Sequence, residues 1–167
     1  PLAIACGNTF VLKPSEKTPI DNVSWKNAKV LETRLLSHVE HGGNYGIQTG
    51  TPSGLDVVDV DKPELHTALV QRLKNETPYT ETARGYHFWF RHHARVKGNK
   101  TGAVDGIDLK TTGGYVVAPG SIHETGAVYE LQGQIENAAE WPEDLLDMLY
   151  PLDESNPRRS SARNRKN

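Results

Sequence analysis

The sequence predicts an α/β protein of the α+β kind, in which helices flank a mixed or antiparallel sheet. The segment 55–60, Leu-Asp-Val-Val-Asp-Val, is rich in β-branched residues and is typical of a strand. Apolar residues at helical spacing follow it in 63–74 and recur in 139–150. Between these two segments, apolar runs bounded by Gly and Pro predict three or four strands within 86–130. Together these elements predict an α/β sandwich.

Residues that start or stop helices bound the three predicted helices. The first, 25–40, ends at Gly42-Gly43, and the second, 63–74, starts at a proline. The third, 139–150, stops at Pro151. Its apolar stripe predicts core positions at Trp141, Leu145, Leu146 and Leu149.

Asp59 and Asp61 lie two residues apart at the end of the strand that the β-branched run predicts. Alternate side chains of a strand share a face, so the two carboxylates project together. Such a pair suits a hard divalent cation, which prefers carboxylate oxygens. Alternatively, Asp61 only caps the helix that follows, although this leaves Asp59 unexplained.

Residues 80–90 read as a polar turn that runs into an aromatic strand. Tyr86, Phe88 and Phe90 are predicted on one face, and His87 and Trp89 on the other. His87 is either a site residue or a structural histidine.

Residues 106–123 predict a short strand, a Gly113-Gly114 turn and a second strand that ends at Pro119-Gly120. The first of these strands carries Asp108 and Lys110 on one face. An acid, a base and a backbone-lined turn are thus predicted close together.

In this order, the segments resemble the bifunctional primase-polymerase domains of phages and plasmids, within the archaeo-eukaryotic primase superfamily. The acidic run 55–61 resembles the first catalytic motif, 82–90 the second with its histidine at His87, and Ile107-Asp108 the third. The flanking similarity comprises 11–19 with Trp25, 44–50, and 113–123 followed by Gly126 and Tyr129.

The resemblance implies a primase-like catalytic core in 1–152, with two fused subunits around a shared cleft. The composition of 153–167, with Pro, Ser, Asn and Arg, predicts a basic, disordered linker or simply a soluble basic end. It implies a template-directed primase and polymerase that transfers nucleotides from dNTPs or NTPs to a primer 3′-hydroxyl. The implied cofactors are two Mg²⁺ or Mn²⁺ ions, held by Asp59, Asp61 and Asp108.

The implied nucleotide-binding residues include His87, which contacts phosphates. The others are Arg84, Lys110, Ser121 and His123. The implied partners are a single-stranded DNA template, a primer strand, the nucleotide, and a fused or associated helicase domain.

The chain departs from the superfamily pattern at Gly85, where many members have Ser two residues before the motif histidine. A Cys-rich zinc site is excluded because Cys6 is the only cysteine. Two alternatives to a polymerase stay open. One is a nucleotide- or nucleic-acid-binding module with the same fold and little activity, and the other is a metal-dependent phosphoesterase.

Residues 1–19 separately resemble a stretch of the aldehyde dehydrogenases, in which the lysine that matches Lys13 contacts the NAD ribose. That fold needs a far longer chain and a catalytic cysteine well downstream of this stretch. An oxidoreductase is therefore excluded by length and by the missing nucleophile. The similarity is either a coincidence or an inherited fragment.

Composition adds expectations about partners and location. No apolar stretch reaches the ~18–20 residues of a membrane span, and no secretory signal is evident, which predicts an intracellular, cytoplasmic protein. The resemblance to phage and plasmid proteins implies a bacterial or archaeal host. The net charge is −2, of which the last ten residues carry +5 and the rest −7. A basic run at 91–100, with Trp89 beside it for base stacking, is either a nucleic-acid contact or a solvated loop.

Overall fold

The computed structural model of the chain describes residues 10–13 and 32–151. Residues 25–31 of the first predicted helix, most of the dehydrogenase-like stretch and the predicted linker lie outside these ranges. In chain order the elements are β1 (Phe10–Lys13), α1 (Glu32–Glu40), β2 (Asn44–Gln48), β3 (Leu55–Val60), a 3₁₀ turn (Pro63–Leu65), α2 (Thr67–Glu76), β4 (Tyr79–Glu81), β5 (Tyr86–Arg91), β6 (Lys100–Val104), β7 (Ile107–Lys110), β8 (Tyr115–Val117), β9 (Glu130–Gln132), a second 3₁₀ turn (Ile135–Asn137) and α3 (Glu143–Leu149).

The strands form two sheets rather than one. The larger sheet has the order β6-β7-β3-β5-β4-β9, and the smaller has the order β1-β2-β8. Every strand pairing between these elements is antiparallel. The mixed α and β content with antiparallel sheets agrees with the predicted class. The two strands predicted around Gly113-Gly114 exist, but β7 lies in the larger sheet and β8 in the smaller, so they are not a hairpin.

The larger sheet separates two hydrophobic cores. On one face Val58 of β3 and Phe88 and Phe90 of β5 pack with apolar residues of α2 and α3. On the other face Leu55, Val57 and Trp89 pack against the smaller sheet. The predicted alternation of aromatic residues along β5 is therefore confirmed. Burial of each large apolar side chain adds about 1.5–3 kcal/mol to the free energy of unfolding, compared with the same side chain exposed to water.

Helix α2 begins at Thr67, four residues after the predicted start, and residues 63–65 form a 3₁₀ turn instead. The break lies at His66, whose backbone is not helical (φ −129°, ψ 33°) and whose ring Nε2 donates to the Asp105 carbonyl at 2.6 Å. No side chain caps α2, and Asp61 precedes it by six residues. The interpretation of Asp61 as a helix cap is therefore wrong.

Helix α3 begins at Glu143 rather than at residue 139. Pro142 precedes it with an extended backbone (ψ 134°), and a residue before proline is itself disfavoured in the helical region. The residues 139–142 therefore run extended into the helix. The predicted core positions are confirmed, since each is buried: Trp141, Leu145, Leu146 and Leu149.

Asp56 of β3 is fully buried and faces away from Asp59. Its carboxylate accepts hydrogen bonds from His92 Nδ1 (2.9 Å), the His93 amide (3.0 Å), the Trp141 indole (3.2 Å) and the Thr111 hydroxyl. A buried carboxylate is tolerated only when donors satisfy its oxygens. Asp56 thus ties β3 to the segments after β5 and β7 and to the approach to α3.

Within the described ranges, the helices are too short or too polar to cross a membrane.

Candidate active site

Three side chains from three adjacent strands form one row on the larger sheet. Asp59 of β3 lies directly opposite His87 of β5 on one side and Asp108 of β7 on the other. Residues that face each other across paired strands project from the same surface of the sheet. Asp61 follows the end of β3 on the same side, and its amide donates to the Gly106 carbonyl at 2.9 Å.

The row lies in a pocket of about 330 Å³ that residues of both sheets line. The smaller sheet contributes Tyr115, Val116 and Val117 of β8. Seven of the eight residues proposed from the sequence line the pocket: Asp59, Asp61, Arg84, His87, Asp108, Lys110 and His123. The fold thus brings together residues that are up to 64 positions apart in the sequence.

Ser121 is the predicted site residue that the structure does not bring to the pocket. Its side chain is buried, with the residue 1% exposed. Its hydroxyl donates to the Tyr45 carbonyl and accepts from the Tyr45 amide, both at 3.3 Å. Ser121 therefore joins the segment before β9 to β2, and we leave it out of the nucleotide site.

Asp59 is the electrostatic centre of the row. Its pKa is raised from 3.8 to about 7: burial is the largest cause, the neighbouring Asp61 and Asp108 add to the rise, and Lys110 and Arg84 oppose it. In the metal-free protein the site thus carries more negative charge than its own cations neutralise, so it favours an added cation.

Each of the other two carboxylates has a basic partner. Lys110 Nζ lies 2.8 Å from Asp108, and Arg84 lies 3.5 Å from Asp61. Burial raises the pKa of Asp108, but the hydrogen bonds from Lys110 and the Gly102 amide outweigh it and lower the pKa overall.

His87 is a neutral imidazole in this environment. Burial, assisted by the charge of Lys110, lowers its pKa to about 3. Its Nε2 lies 3.6 Å from Asp59 Oδ1, while its buried Nδ1 has no hydrogen-bond partner among the described residues. The ring also contacts Tyr129, with 6.0 Å between centroids. A neutral imidazole in this position can donate one hydrogen bond from Nε2.

The donor set fits a hard divalent cation, since Asp59, Asp61 and Asp108 offer carboxylate oxygens, and among the described residues Lys110 and Arg84 pair with Asp108 and Asp61 rather than with Asp59. The carboxylates do not converge on a common point, however. Within residues 10–13 and 32–151, no three His, Cys, Asp or Glu side chains are grouped as metal ligands. The contact between Asp108 and Lys110 accounts for part of this separation.

The raised pKa of Asp59 predicts that metal-free stability falls as pH rises from about 4 to about 7. Across this window the folded state holds a proton that the unfolded state has released. The loss is at most about 1.4 kcal/mol per pH unit for one proton. Urea unfolding in EDTA at successive pH values measures it, with Asp59→Asn as the reference. A slope that is the same in both proteins would contradict the assignment.

Gly85, the departure from the superfamily pattern, is required by packing. A Cβ at this position would lie 1.8 Å from the Val60 carbonyl oxygen of the neighbouring strand. No serine can therefore occupy this position without a backbone shift. The sequence showed that a hydroxyl is missing here, but not that the contact between β3 and β5 excludes it.

The proposed base-stacking role of Trp89 is wrong. Trp89 is fully buried between the two sheets, and its indole donates to the Thr80 hydroxyl at 2.9 Å. No base can reach it. Alternation along β5 predicted the correct face for Trp89, but burial of that face by the smaller sheet depends on strands distant in the chain.

The basic run at 91–100 is largely occupied by contacts within the protein. Arg95, which is 13% exposed, bridges Glu143 and Asp147 of α3. Lys100 Nζ donates to a backbone carbonyl at the end of α3, and Arg91 Nε donates to another just before it. Arg95 and Lys100 therefore hold α3 against the sheet, while the side chain of Arg91 remains 58% exposed.

Three polar residues that line the pocket were not predicted as site residues from the sequence: Thr82, Tyr115 and Tyr129. Tyr115 is half-buried on β8, and burial raises its pKa. Tyr129 lies between His87 and His123, 6.0 and 6.3 Å from their ring centroids. The turn before His87 is the one local signal that could have indicated Thr82.

Comparison with known families gives one match over most of the chain. The family model described as "Bifunctional DNA primase/polymerase, N-terminal" matches residues 3–144. This range contains the pocket and all strands of both sheets.

Matches to curated proteins are short. The chain is 95% identical over 20 residues to malonate-semialdehyde dehydrogenase 1 of Bacillus licheniformis and to a malonate-semialdehyde dehydrogenase of Bacillus pumilus. It is 90% identical over 20 residues to malonate-semialdehyde dehydrogenase 2 of Geobacillus thermodenitrificans. Each match covers 12% of this chain, and the chain spans about 4% of the length of these relatives. The length agrees with the 19-residue resemblance to aldehyde dehydrogenases found in the sequence.

Proposed function

Since the chain belongs to the family of bifunctional DNA primase/polymerase N-terminal domains, we propose that it is a template-directed primase and polymerase. Family membership implies a nucleotidyltransferase that acts on DNA and nucleotides. The finer proposal is transfer from dNTPs or NTPs to a primer 3′-hydroxyl during phage or plasmid replication. The observation that supports it best is the row of Asp59, His87 and Asp108 in a pocket that also contains two cations.

The proposed metal ligands are Asp59, Asp61 and Asp108, and the proposed ions are Mg²⁺ or Mn²⁺. When bound, two such ions would stabilise negative charge on the attacking and leaving oxygens of the reaction. The chain's part is to present carboxylates on a rigid sheet. Asp59 would lose its proton on binding, and Asp108 would separate from Lys110, because a cation competes with both.

The cations of the pocket supply charge for the triphosphate. Lys110 is 25% exposed and Arg84 is 75% exposed, and within residues 10–13 and 32–151 each forms an ion pair with one carboxylate. A metal on the carboxylates would free both side chains for phosphate oxygens, where charge-assisted hydrogen bonds are strongest. His123 lies on the same pocket wall and is the third proposed contact. The pocket would therefore exchange internal ion pairs for bonds to the nucleotide.

His87 would contact the triphosphate through Nε2, the ring nitrogen on the Asp59 side. Its low pKa keeps the ring neutral, so it would donate a hydrogen bond without adding charge. The row thus combines metal-binding acids with one neutral donor. In this proposal His87 orients a phosphate next to the carboxylates.

The test of the proposed function is extension of a primed single-stranded template with labelled dNTPs and Mn²⁺. We expect elongated primers, and a second reaction without primer tests initiation from dNTPs or NTPs. Nucleotide breakdown without elongation would identify a phosphoesterase instead. Neither elongation nor breakdown, with nucleotide still bound, would identify a binding module.

The binding module is the second candidate because the described residues hold no preassembled group of three metal ligands. The pairing of Asp108 with Lys110 suits a protein that binds a nucleotide without catalysis. Titration with Mn²⁺ separates the candidates before any assay of activity. Binding of two ions that requires Asp108 supports the polymerase, and no binding supports the module.

The proposed partners are a template strand, a primer and a helicase domain, fused or associated. Outside the last ten residues the chain carries a net charge of −7, so its own electrostatic attraction for DNA phosphates is weak. An attached domain that holds the same DNA would raise the effective concentration of template at the pocket. This domain would supply the affinity for DNA that the negatively charged part of the chain before the last ten residues lacks.

We expect His87→Asn to weaken dNTP binding about tenfold, while His87→Gln stays within about threefold of the parent. The glutamine amide reaches the place of Nε2, whereas the asparagine amide reaches only that of Nδ1. Calorimetric titration with a dNTP measures the affinities, and titration with single-stranded DNA serves as the control, since its affinity should not change. Equal losses in both variants, with lowered thermal stability, would show that His87 is a structural residue.

A further inference from the structure

The loop between β4 and β5 is closed by Thr82. Its hydroxyl accepts hydrogen bonds from the amides of Gly85 (2.9 Å) and Arg84 (3.3 Å), and its own amide donates to the Gly85 carbonyl at 2.9 Å. A threonine hydroxyl that bonds to the amides two and three residues later fixes a tight turn. Thr82 therefore stabilises the turn. Any functional role of its hydroxyl must be compatible with these hydrogen bonds.

The hydroxyl of Thr82 retains one unused capacity. A hydroxyl has two lone pairs and one hydrogen to donate. Both lone pairs are occupied by the turn, and within the described part of the chain no acceptor takes the hydrogen. Thr82 is partly exposed and lines the pocket. Because the two amides occupy both lone pairs of the hydroxyl oxygen, the hydroxyl hydrogen is available for donation to a group outside the turn.

The surroundings of this hydroxyl favour an anion. Arg84, two residues later, reaches into the same pocket with a largely exposed guanidinium, and β5 leads from the turn to His87. Gly85 cannot carry a side chain, so Thr82 is the loop's source of a hydroxyl donor. An O–H, a guanidinium and an imidazole from one short segment suit the oxygens of a phosphate chain.

We propose that Thr82 donates its hydroxyl hydrogen to a phosphate oxygen of the bound nucleoside triphosphate. This rests on the proposed function and makes the segment 82–84 a phosphate-binding loop. A hydrogen bond to a charged oxygen should change affinity about tenfold or more. The contact depends on phosphate and not on the base or the sugar, which gives the proposal its test.

The experiment compares Thr82→Ser, Thr82→Asn and Thr82→Val by calorimetric titration with dATP, inorganic triphosphate and deoxyadenosine. Serine and asparagine keep both an acceptor for the turn and a donor, whereas valine keeps only the shape. We expect Thr82→Val to lose about tenfold in affinity for dATP and inorganic triphosphate, with deoxyadenosine unaffected. The other two variants should stay within about threefold of the parent.

Parental affinity of Thr82→Val for triphosphate would overturn the proposal. So would an equal loss for deoxyadenosine, which would indicate a collapsed turn. Should Thr82→Val not fold, Thr82→Asp replaces it, since aspartate keeps the turn acceptors without a hydrogen to donate. The aspartate variant must then lose at least about threefold more triphosphate affinity than Ala83→Asp, which adds the same charge at the neighbouring exposed position, and Thr82→Asn must retain that affinity.

Failure of this proposal is distinguishable from failure of the proposed function. If the parent binds and incorporates dATP and Thr82→Val matches it, only the role of Thr82 is wrong. If the parent neither binds nor incorporates dATP, both proposals are overturned together.

Discussion

Replacement of Asp59 by asparagine should reduce nucleotide incorporation by about a thousandfold or more and, at the same time, stabilise the metal-free protein. The loss of activity follows from removal of the central carboxylate of the row, which interacts electrostatically with both Asp61 and Asp108. The gain in stability follows from burial, which raises the pKa of Asp59 to about 7 and so penalises its charged form at pH 8. A shift from 3.8 to about 7 corresponds to roughly 4 kcal/mol of unfolding free energy at pH 8.

Primer extension and urea unfolding in EDTA at pH 8 measure the two effects in one preparation. The matched control is Asp105→Asn, an exposed carboxylate paired with Lys62 outside the pocket. It should change neither quantity appreciably. Activity of Asp59→Asn within tenfold of the parent would contradict the role of the carboxylate. A loss of activity together with a loss of stability would show that Asp59 is structural.

The second large effect concerns stability alone. Asp56→Ala should lower the free energy of unfolding by about 3–5 kcal/mol, or prevent folding, because four donors lose their acceptor in a buried position. Urea unfolding followed by circular dichroism measures the change. Glu140→Ala serves as the control, since this exposed carboxylate lies 3.7 Å from Arg91 and its removal should cost less than about 0.5 kcal/mol. A change below about 1 kcal/mol in Asp56→Ala would show that its network contributes little.

The faces of the strands could be predicted from the sequence because their period is local. Alternation alone placed His87 and Trp89 on one side of β5, and Asp108 with Lys110 on one side of β7. The direct opposition of Asp59 to both His87 and Asp108 depends on register between strands that are distant in the chain. Periodicity carries no information about that register. The order of the motifs supplied it through the family resemblance.

The Asp56 network could not be predicted for the same reason. Its side-chain donors His92, Thr111 and Trp141 are 36, 55 and 85 residues away. In the sequence Asp56 is one more acid in an acidic strand, and nothing local marks it as buried. Ser121 shows the opposite error, since a motif position indicated a site residue whose hydroxyl the fold uses to hold β2.

The starts of helices α2 and α3 depend on backbone conformations that the spacing of apolar residues does not reveal. The apolar pattern of 63–74 continues through His66, yet the backbone there is not helical. The pattern of 139–150 likewise ignores Pro142, which delays α3 to Glu143. The core positions of 139–150 were identified correctly, whereas the first turn of each helix was not.

The division of the chain between the two sheets has a consequence for the order of folding. The smaller sheet begins with β1 and β2, and the chain then builds β3 to β7 of the larger sheet before β8 returns to pair with β2. Neither sheet is a contiguous segment, so neither can be excised and studied alone. The β2–β8 pairing closes a long loop that contains β3 to β7. The entropy lost on closing this loop is offset only when the residues within the loop have folded and packed. A chain emerging from the ribosome therefore completes the acidic row of the larger sheet first, and acquires the β8 wall of the pocket only afterwards.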